Sequence, residues 1–266
     1  MYRPKKIPSE AKIRRFVRRI VFGKNIFCPQ CRSRQTLRYQ DRYRCQGCRC
    51  KFSLLSHTWL SNMKLPLRQF WITLWCWTTQ IPVQQAMVIA GLSKKAVRYW
   101  YAGFRQHLPQ DKILLEAMVQ LDEAYFSGFQ GCALLMAKQK GTRKLAFKLL
   151  SEGQPNRMDA LMFLRQNVKP GSVLYTDGFS IYTGIDRLFP VTHLVDSHKD
   201  WQYSGTSEIE GVFGNLRTFI RRMYHHVTVK KLENVVSEFC YRFSHPEMFE
   251  NPRYYLENTL TLVPTG

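Results

Sequence analysis

Hydrophobic and polar positions follow two periods along this chain, and the change of period divides it. Residues 8–22 begin with a capping signal, Pro8-Ser9-Glu10, and set Ile13, Phe16, Val17, Ile20 and Val21 at helical spacing. Lys12, Arg14, Arg15, Arg18 and Arg19 fall on the other side, which predicts a basic amphipathic helix whose charged face is either solvated or touches phosphate. Residues 64–80 carry Leu67, Phe70, Trp71, Leu74, Trp75 and Trp77, an aromatic-rich core helix. Residues 81–101 read as a helix, a turn containing Gly91, a Ser93 N-cap and a second helix bearing Lys94, Lys95 and Arg98. That order is the helix-turn-helix pattern, although any helical hairpin can produce it.

Past a connection over 109–116, the period falls to two. Strands are expected at 118–126, 131–139, 144–151, 172–178 and 191–196, with helices at 156–168 and 207–222. A last helix is expected at 229–243, followed by a tail from Pro246. Three strands joined by short turns imply an antiparallel meander, and the helix before the fourth implies a parallel crossover. The fold class expected is mixed α/β, a five-stranded mixed sheet with flanking helices.

Acids interrupt this apolar pattern. Asp122 lies inside Val119-Gln120-Leu121-Asp122-Glu123-Ala124-Tyr125-Phe126, where alternation sends Asp122 and Glu123 to opposite faces. Asp177 ends the run Ser172-Val173-Leu174-Tyr175-Thr176, ahead of Gly178. Acids in such strands are costly unless they are paired or hold a cation. If the first and fourth strands are neighbours, the two aspartates stand side by side, an arrangement suited to Mg²⁺ or Mn²⁺ and to in-line displacement at phosphorus. A third acid comes from the helix at 207–222, where Glu208 and Glu210 flank the stripe Ile209, Phe213, Leu216 and Ile220. Only one can face the aspartates. Glu210 shares its side with Arg217 and Arg221, aligning a metal-binding acid with phosphate-binding cations, and is the one chosen.

The cysteines add a second centre. Cys28-Pro29-Gln30-Cys31 and Cys45-Gln46-Gly47-Cys48 are thirteen residues apart, and two such knuckles supply four thiolates to a tetrahedral Zn²⁺. A short hairpin is expected over 36–44, and Cys50 competes with Cys48 for the fourth position. A ribbon this small lacks an adequate core, so metal binding would supply its folding energy. Cys76, Cys132 and Cys240 lie in apolar surroundings and read as core.

Charge points to the partner. The 266 residues carry 40 Lys+Arg against 19 Asp+Glu, a net +21, and residues 1–70 alone hold 18 bases against 2 acids. Such a surface gains by displacing counterions from a polyanion. An anionic membrane is the other candidate, but no apolar run approaches the roughly 18–20 residues of a spanning helix. Met1-Tyr2-Arg3-Pro4-Lys5-Lys6 is not followed by the apolar core of a signal peptide, so a cytoplasmic protein with reduced or metal-bound thiols is expected.

Leu121-Asp122-Glu123-Ala124-Tyr125, Tyr175-Thr176-Asp177-Gly178-Phe179, Ile209-Glu210-Gly211-Val212-Phe213 and Tyr224-His225-His226-Val227 together resemble the motifs of bacterial insertion-sequence transposases of the ISXO-type branch. Those proteins join an N-terminal zinc ribbon to an RNase H-like catalytic domain. The resemblance runs from Cys28 to His226. It implies a DDE-type enzyme that cuts the ends of its element to leave 3′ hydroxyls and joins them to target DNA. Asp122 and Asp177 map onto metal ligands; where relatives often have asparagine this chain has Ser207, a poor ligand, so the third role falls to Glu210. Arg217 occupies the place of a downstream basic residue that is more often lysine. Lys94, Lys95, Arg98, Arg221, Arg222, His225 and His226 are the expected DNA contacts, the histidines being open to a structural role as well. The expected organisation is a basic helix over 1–24, the ribbon over 25–58, a helical DNA-binding region over 59–110, the catalytic domain over 111–228, and a C-terminal helix and tail over 229–266. A homo-oligomer on double-stranded DNA is expected by analogy. The competing readings are a catalytically inactive descendant, acting as repressor or architectural factor, and an RNA-processing nuclease.

Overall fold

The computed structural model describes residues 7–110, 112–125, 132–150, 153–196, 206–225 and 227–262. Positions 126, 131 and 151, at the ends of expected strands, and His226 lie outside them. The chain divides into two compact units, Met1–Pro109 with Glu247–Gly266, and Gln110–Pro246.

The first unit opens with α1 (Glu10–Phe22), capped by Ser9, whose hydroxyl accepts from the Lys12 N–H. Ile13, Val17, Val21 and Phe22 are buried, while the five bases on the other side are exposed. Strands β1 (Thr36–Tyr39), β2 (Arg42–Cys45) and β3 (Lys51–Phe52) form a small antiparallel sheet. Helices α2 (Leu67–Thr78), α3 (Val83–Ala90) and α4 (Lys94–Gln106) follow. Pro66 cannot cap α2 with a side chain, and Glu10 does so from α1, its carboxylate accepting the N–H groups of Leu67 and Arg68. Gly91 ends α3 at φ 63°, where a side chain would be strained, and Ser93 caps α4 by accepting from the Ala96 N–H. Beyond Pro246, where the sequence suggested only a tail, Pro252–Thr259 forms another helix. Its Tyr255 is buried against Trp77 and donates its hydroxyl to the Phe104 carbonyl. This helix is short, and its Asn251 cap and N1 proline are its main sequence signals.

The second unit contains β4 (Met118–Tyr125), β5 (Ala133–Gln139), β6 (Leu145–Leu150), α5 (Arg157–Asn167), β7 (Val173–Thr176), β8 (Thr192–Val195), α6 (Ser207–Tyr224) and α7 (Val229–Ser244). The sheet order is β6-β5-β4-β7-β8. Strands β4, β5 and β6 pair antiparallel, whereas β7 and β8 run parallel to β4. This is the expected five-stranded mixed sheet. On one face Val119, Leu121, Leu135, Ala137 and Leu174 pack with Phe163 and Leu164 of α5 and with Tyr182. On the other, Gln120 is buried and its Oε1 accepts the N–H of Ile209, tying the start of α6 to β4. Along α6 the buried stripe is Ile209, Val212, Phe213, Leu216, Phe219 and Met223. Ile220, expected in the stripe, is only half-buried, since Phe219 and Met223 carry the contact instead. Helix α7 is held to α6 by the buried Glu238, which accepts from the Tyr224 hydroxyl and from Arg242 Nε.

Candidate active site and metal centres

Register explains where the site forms. Strand β7 pairs with β4 only from Met118↔Val173 to Gln120↔Tyr175, whereas β4 continues to Tyr125. Past Gln120 no described strand pairs with this edge of β4, which lies at the carboxyl ends of parallel strands, where α/β sheets bind ligands. Asp122 and Glu123 lie beyond the last β4–β7 pair while still paired with β5, and Asp177 stands one residue beyond the end of β7.

The three carboxylates each offer an oxygen within 4.8 Å of the others. Asp122 and Asp177 are thus together, as the strand order requires. Glu123 belongs to the group as well, although strand alternation separates it from Asp122. It approaches from the α5 side, where Tyr182 donates its hydroxyl to Glu123 Oε2 at 2.6 Å. Neither Glu123 as a member of this group nor Tyr182 as its partner was read from the sequence. A second acid beside Asp122 was the available signal for the first, and nothing local marked the second.

Burial pushes the Asp122 carboxyl up to about 7; the Glu123 N–H opposes this, and the charges of Glu123, Asp177 and Glu210 add to it. Glu123 is also raised, first by burial, with the Tyr182 hydroxyl opposing and Asp177 reinforcing. Tyr182 is raised in turn by burial and by Glu123. Mutual repulsion of this kind is relieved by a cation. Behind Asp177, the Thr176 hydroxyl donates to the Asp177 carbonyl, so the 2.8 Å contact of Thr176 Oγ1 with His193 Nε2 is donated by the imidazole.

Helix α6 places its two acids in different surroundings. Glu208 forms an ion pair with Lys138, which is buried in β5, and accepts the Gly141 N–H. The Lys138 hydrogen bond and ammonium hold the Glu208 carboxyl below its ordinary range. Glu210 is exposed, 3.5 Å from the Thr206 hydroxyl, and its charge acts on Asp122. It lies outside the tight three-carboxylate group. Thr206 is itself fixed by Asp196 at the end of β8, a buttress the sequence did not announce. Arg217, Arg221, Arg222 and His225 are exposed.

In the first unit the Sγ atoms of Cys28, Cys31, Cys45 and Cys48 lie within 4.8 Å of one another. The pairs Cys28–Cys48 and Cys31–Cys45 are 3.5 Å apart. Cys50 is not among them and contacts the Lys51 carbonyl instead. The Cys48 N–H, with smaller contributions from neighbouring groups, lowers Cys45 to about 6, favouring a thiolate. Four converging thiols with no disulfide are compatible with zinc. Cys76, Cys132 and Cys240 are buried singly in apolar surroundings. Lys94, Lys95 and Arg98 are exposed along α4, beside an exposed Tyr99.

No helix among the described residues is long and apolar enough to cross a membrane. Among solved structures, the chain is similar to the catalytic core domain of BIV integrase, at 11% identity and a TM-score of 0.33, covering 48% of this chain and 82% of that one. No curated protein matches it in sequence. Residues 114–244 match the model of the ISXO2-like transposase domain, the stretch that carries Asp122, Glu123, Asp177 and Glu210. That stretch is therefore similar to the ISXO2-like transposase domain and carries the sheet and the acids described above.

Proposed function

We propose that the protein is a DNA transposase that cleaves phosphodiester bonds at the ends of its element and transfers the 3′ ends to target DNA. The single observation that carries this reading is the meeting of Asp122 and Asp177 in the crevice left where β7 departs from β4. Asp122, Asp177 and Glu210 would hold Mg²⁺ or Mn²⁺. Bound there, a divalent ion supplies charge stabilisation at phosphorus and lowers the pKa of an attacking water or hydroxyl.

The chain's own residues do the rest. Water attacks phosphorus and the P–O3′ bond breaks, leaving a 3′ hydroxyl; that hydroxyl then attacks a target phosphorus, displacing a second 3′ oxygen. Arg217 and Arg221 share the Glu210 side of α6, a turn pattern suited to holding DNA phosphates beside the acids. Lys138 keeps Glu208 out of the reaction and thereby leaves Glu210 for it. In the first unit, the helices α3 and α4 with Ser93 between them have the helix-turn-helix order, with Lys94, Lys95 and Arg98 available to DNA. Zn²⁺ on Cys28, Cys31, Cys45 and Cys48 would fix the ribbon. Arg222, His225 and His226 complete the proposed DNA contacts; His226 lies outside the described residues. We place the protein in the bacterial cytoplasm, at the nucleoid, acting as a homo-oligomer because two element ends must be paired.

Purified protein incubated with labelled element-end DNA and Mg²⁺ tests this reading. Nicking that leaves 3′ hydroxyls, followed by joined products, is expected. Tight binding with no nicking would instead support an inactive descendant, and cleavage of RNA without preference for element ends would support a nuclease.

A further inference from the structure

Glu123 has no part in the three-acid set above, yet its carboxylate stands with those of Asp122 and Asp177. All three carboxylates are held the same way. Asp122 Oδ1 accepts the Glu123 N–H at 2.7 Å, Asp177 Oδ1 accepts the Phe179 N–H at 3.1 Å, and Glu123 Oε2 accepts the Tyr182 hydroxyl at 2.6 Å. Each therefore has one oxygen fixed by the chain, and none of the three is in an ion pair with a described residue. A carboxylate pinned by one oxygen and held close to two others is how outer hydrogen bonds orient a metal ligand.

A purely structural role explains this less well. Satisfying the buried Tyr182 hydroxyl needs only a neutral acceptor, and a glutamine or a carbonyl would do it. Glutamate adds a third negative charge beside two aspartates, which is costly in a half-buried crevice unless a cation shares it. Glu123 also reaches the crevice from the α5 side of the sheet, opposite to the α6 side that supplies Glu210.

We infer that Glu123 is a fourth acid of the proposed centre, ligating the divalent ion together with Asp122 and Asp177, and that Tyr182 is its positioning residue. This rests on the metal-dependent reading above. Tyr182 presents the glutamate: its hydroxyl fixes Oε2 and leaves Oε1 to the ion. The ion is thus enclosed by acids from both faces of the sheet, Glu123 from one and Glu210 from the other, with the aspartates between.

Mn²⁺ titration of the full-length, zinc-loaded protein by calorimetry and by electron paramagnetic resonance of free Mn²⁺ tests the assignment without recourse to activity. Asp122→Asn should abolish binding at the crevice. Glu123→Gln, which keeps an acceptor for Tyr182, should weaken it about as severely, and Tyr182→Phe, which removes only a hydroxyl, should weaken it about 10–100-fold, as loss of an outer-shell partner does. Circular dichroism of each variant checks the fold, and Tyr182→Phe decides if Glu123→Gln is unstable. Wild-type affinity in both Glu123→Gln and Tyr182→Phe, with binding lost in Asp122→Asn, would overturn this inference and leave the transposase reading standing. Absence of any Mn²⁺ binding by the wild-type protein would overturn both.

Discussion

The four-thiol ribbon and the carboxylate crevice both gather like-charged ligands, but they rest on different foundations. Around the thiols the buried apolar support is thin: Phe22 packs on Phe27 and Phe52, and Tyr43 stacks on Phe52. In the strands β1 to β3 the buried residues are Cys45 and Phe52. The carboxylates instead stand at the end of a sheet whose core is filled by Val119, Leu121, Leu135, Phe163, Leu164 and Leu174. A metal at the thiols is part of folding, whereas a metal at the carboxylates acts on a frame already built.

The largest effect expected is at the ribbon. Removing Zn²⁺ with a strong chelator, or replacing Cys45 by Ser, withdraws a binding free energy on the order of 10 kcal/mol from that segment. Amide exchange should then lose protection over residues 25–58 while β4, β5 and α5 stay protected. Next comes chemistry without unfolding: Asp177→Asn should lower DNA cleavage by about 10³-fold, roughly 4 kcal/mol in the barrier, with the melting transition of the second unit intact. The two α6 glutamates then separate stability from activity. Glu208→Gln strands the Lys138 ammonium in β5 and should cost about 2 kcal/mol, less than a fully buried pair because Glu208 is partly exposed. Glu210→Gln should leave stability within about 0.5 kcal/mol, since its side chain is exposed, yet abolish cleavage.

A pH scan sharpens the same contrast. Burial pushes the Asp122 carboxyl from its ordinary 3.8 up to about 7, so the folded protein holds the proton more tightly. Its contribution to stability is fully present below about pH 4 and is lost as pH rises towards 7. The second unit should therefore melt a few degrees lower at pH 8 than at pH 5, Asp122→Asn should flatten that dependence, and Mg²⁺ should restore the wild-type melting at pH 8. Smallest is the electrostatic share of DNA binding. Arg98→Ala should reduce the slope of log affinity against log salt by about one if Arg98 meets a phosphate.

The same contrast explains what could be read from the sequence. The thiol cluster was legible because its ligands come in two local knuckles, and only the choice between Cys48 and Cys50 awaited the geometry. The mixed five-stranded sheet followed from periodicity and the crossover, which allowed β4 beside β7 without fixing it; the strand order then brings Asp122 to Asp177. Glu123 was not legible as a neighbour, because alternation sends it to the face opposite Asp122 and the two carboxylates meet only beyond the last β4–β7 pair. Tyr182 joins from a turn 59 residues away, a distance no local pattern spans. Lys138 was a missed signal: a lysine within the buried strand Ala133–Gln139 asks for a buried anion, and its partner is Glu208. Recognising that pair would have marked Glu208 as an ion-pair partner from the sequence alone.

The claim on which the rest depends is that Asp122 and Asp177 share a divalent ion. Crystals of the protein soaked in Mn²⁺ and measured at the manganese edge test it directly. We expect an anomalous peak bonded to oxygens of Asp122 and Asp177 at about 2.1 Å, as for hard octahedral cations. Manganese bound elsewhere on the protein, with no peak between those two carboxylates, would contradict it.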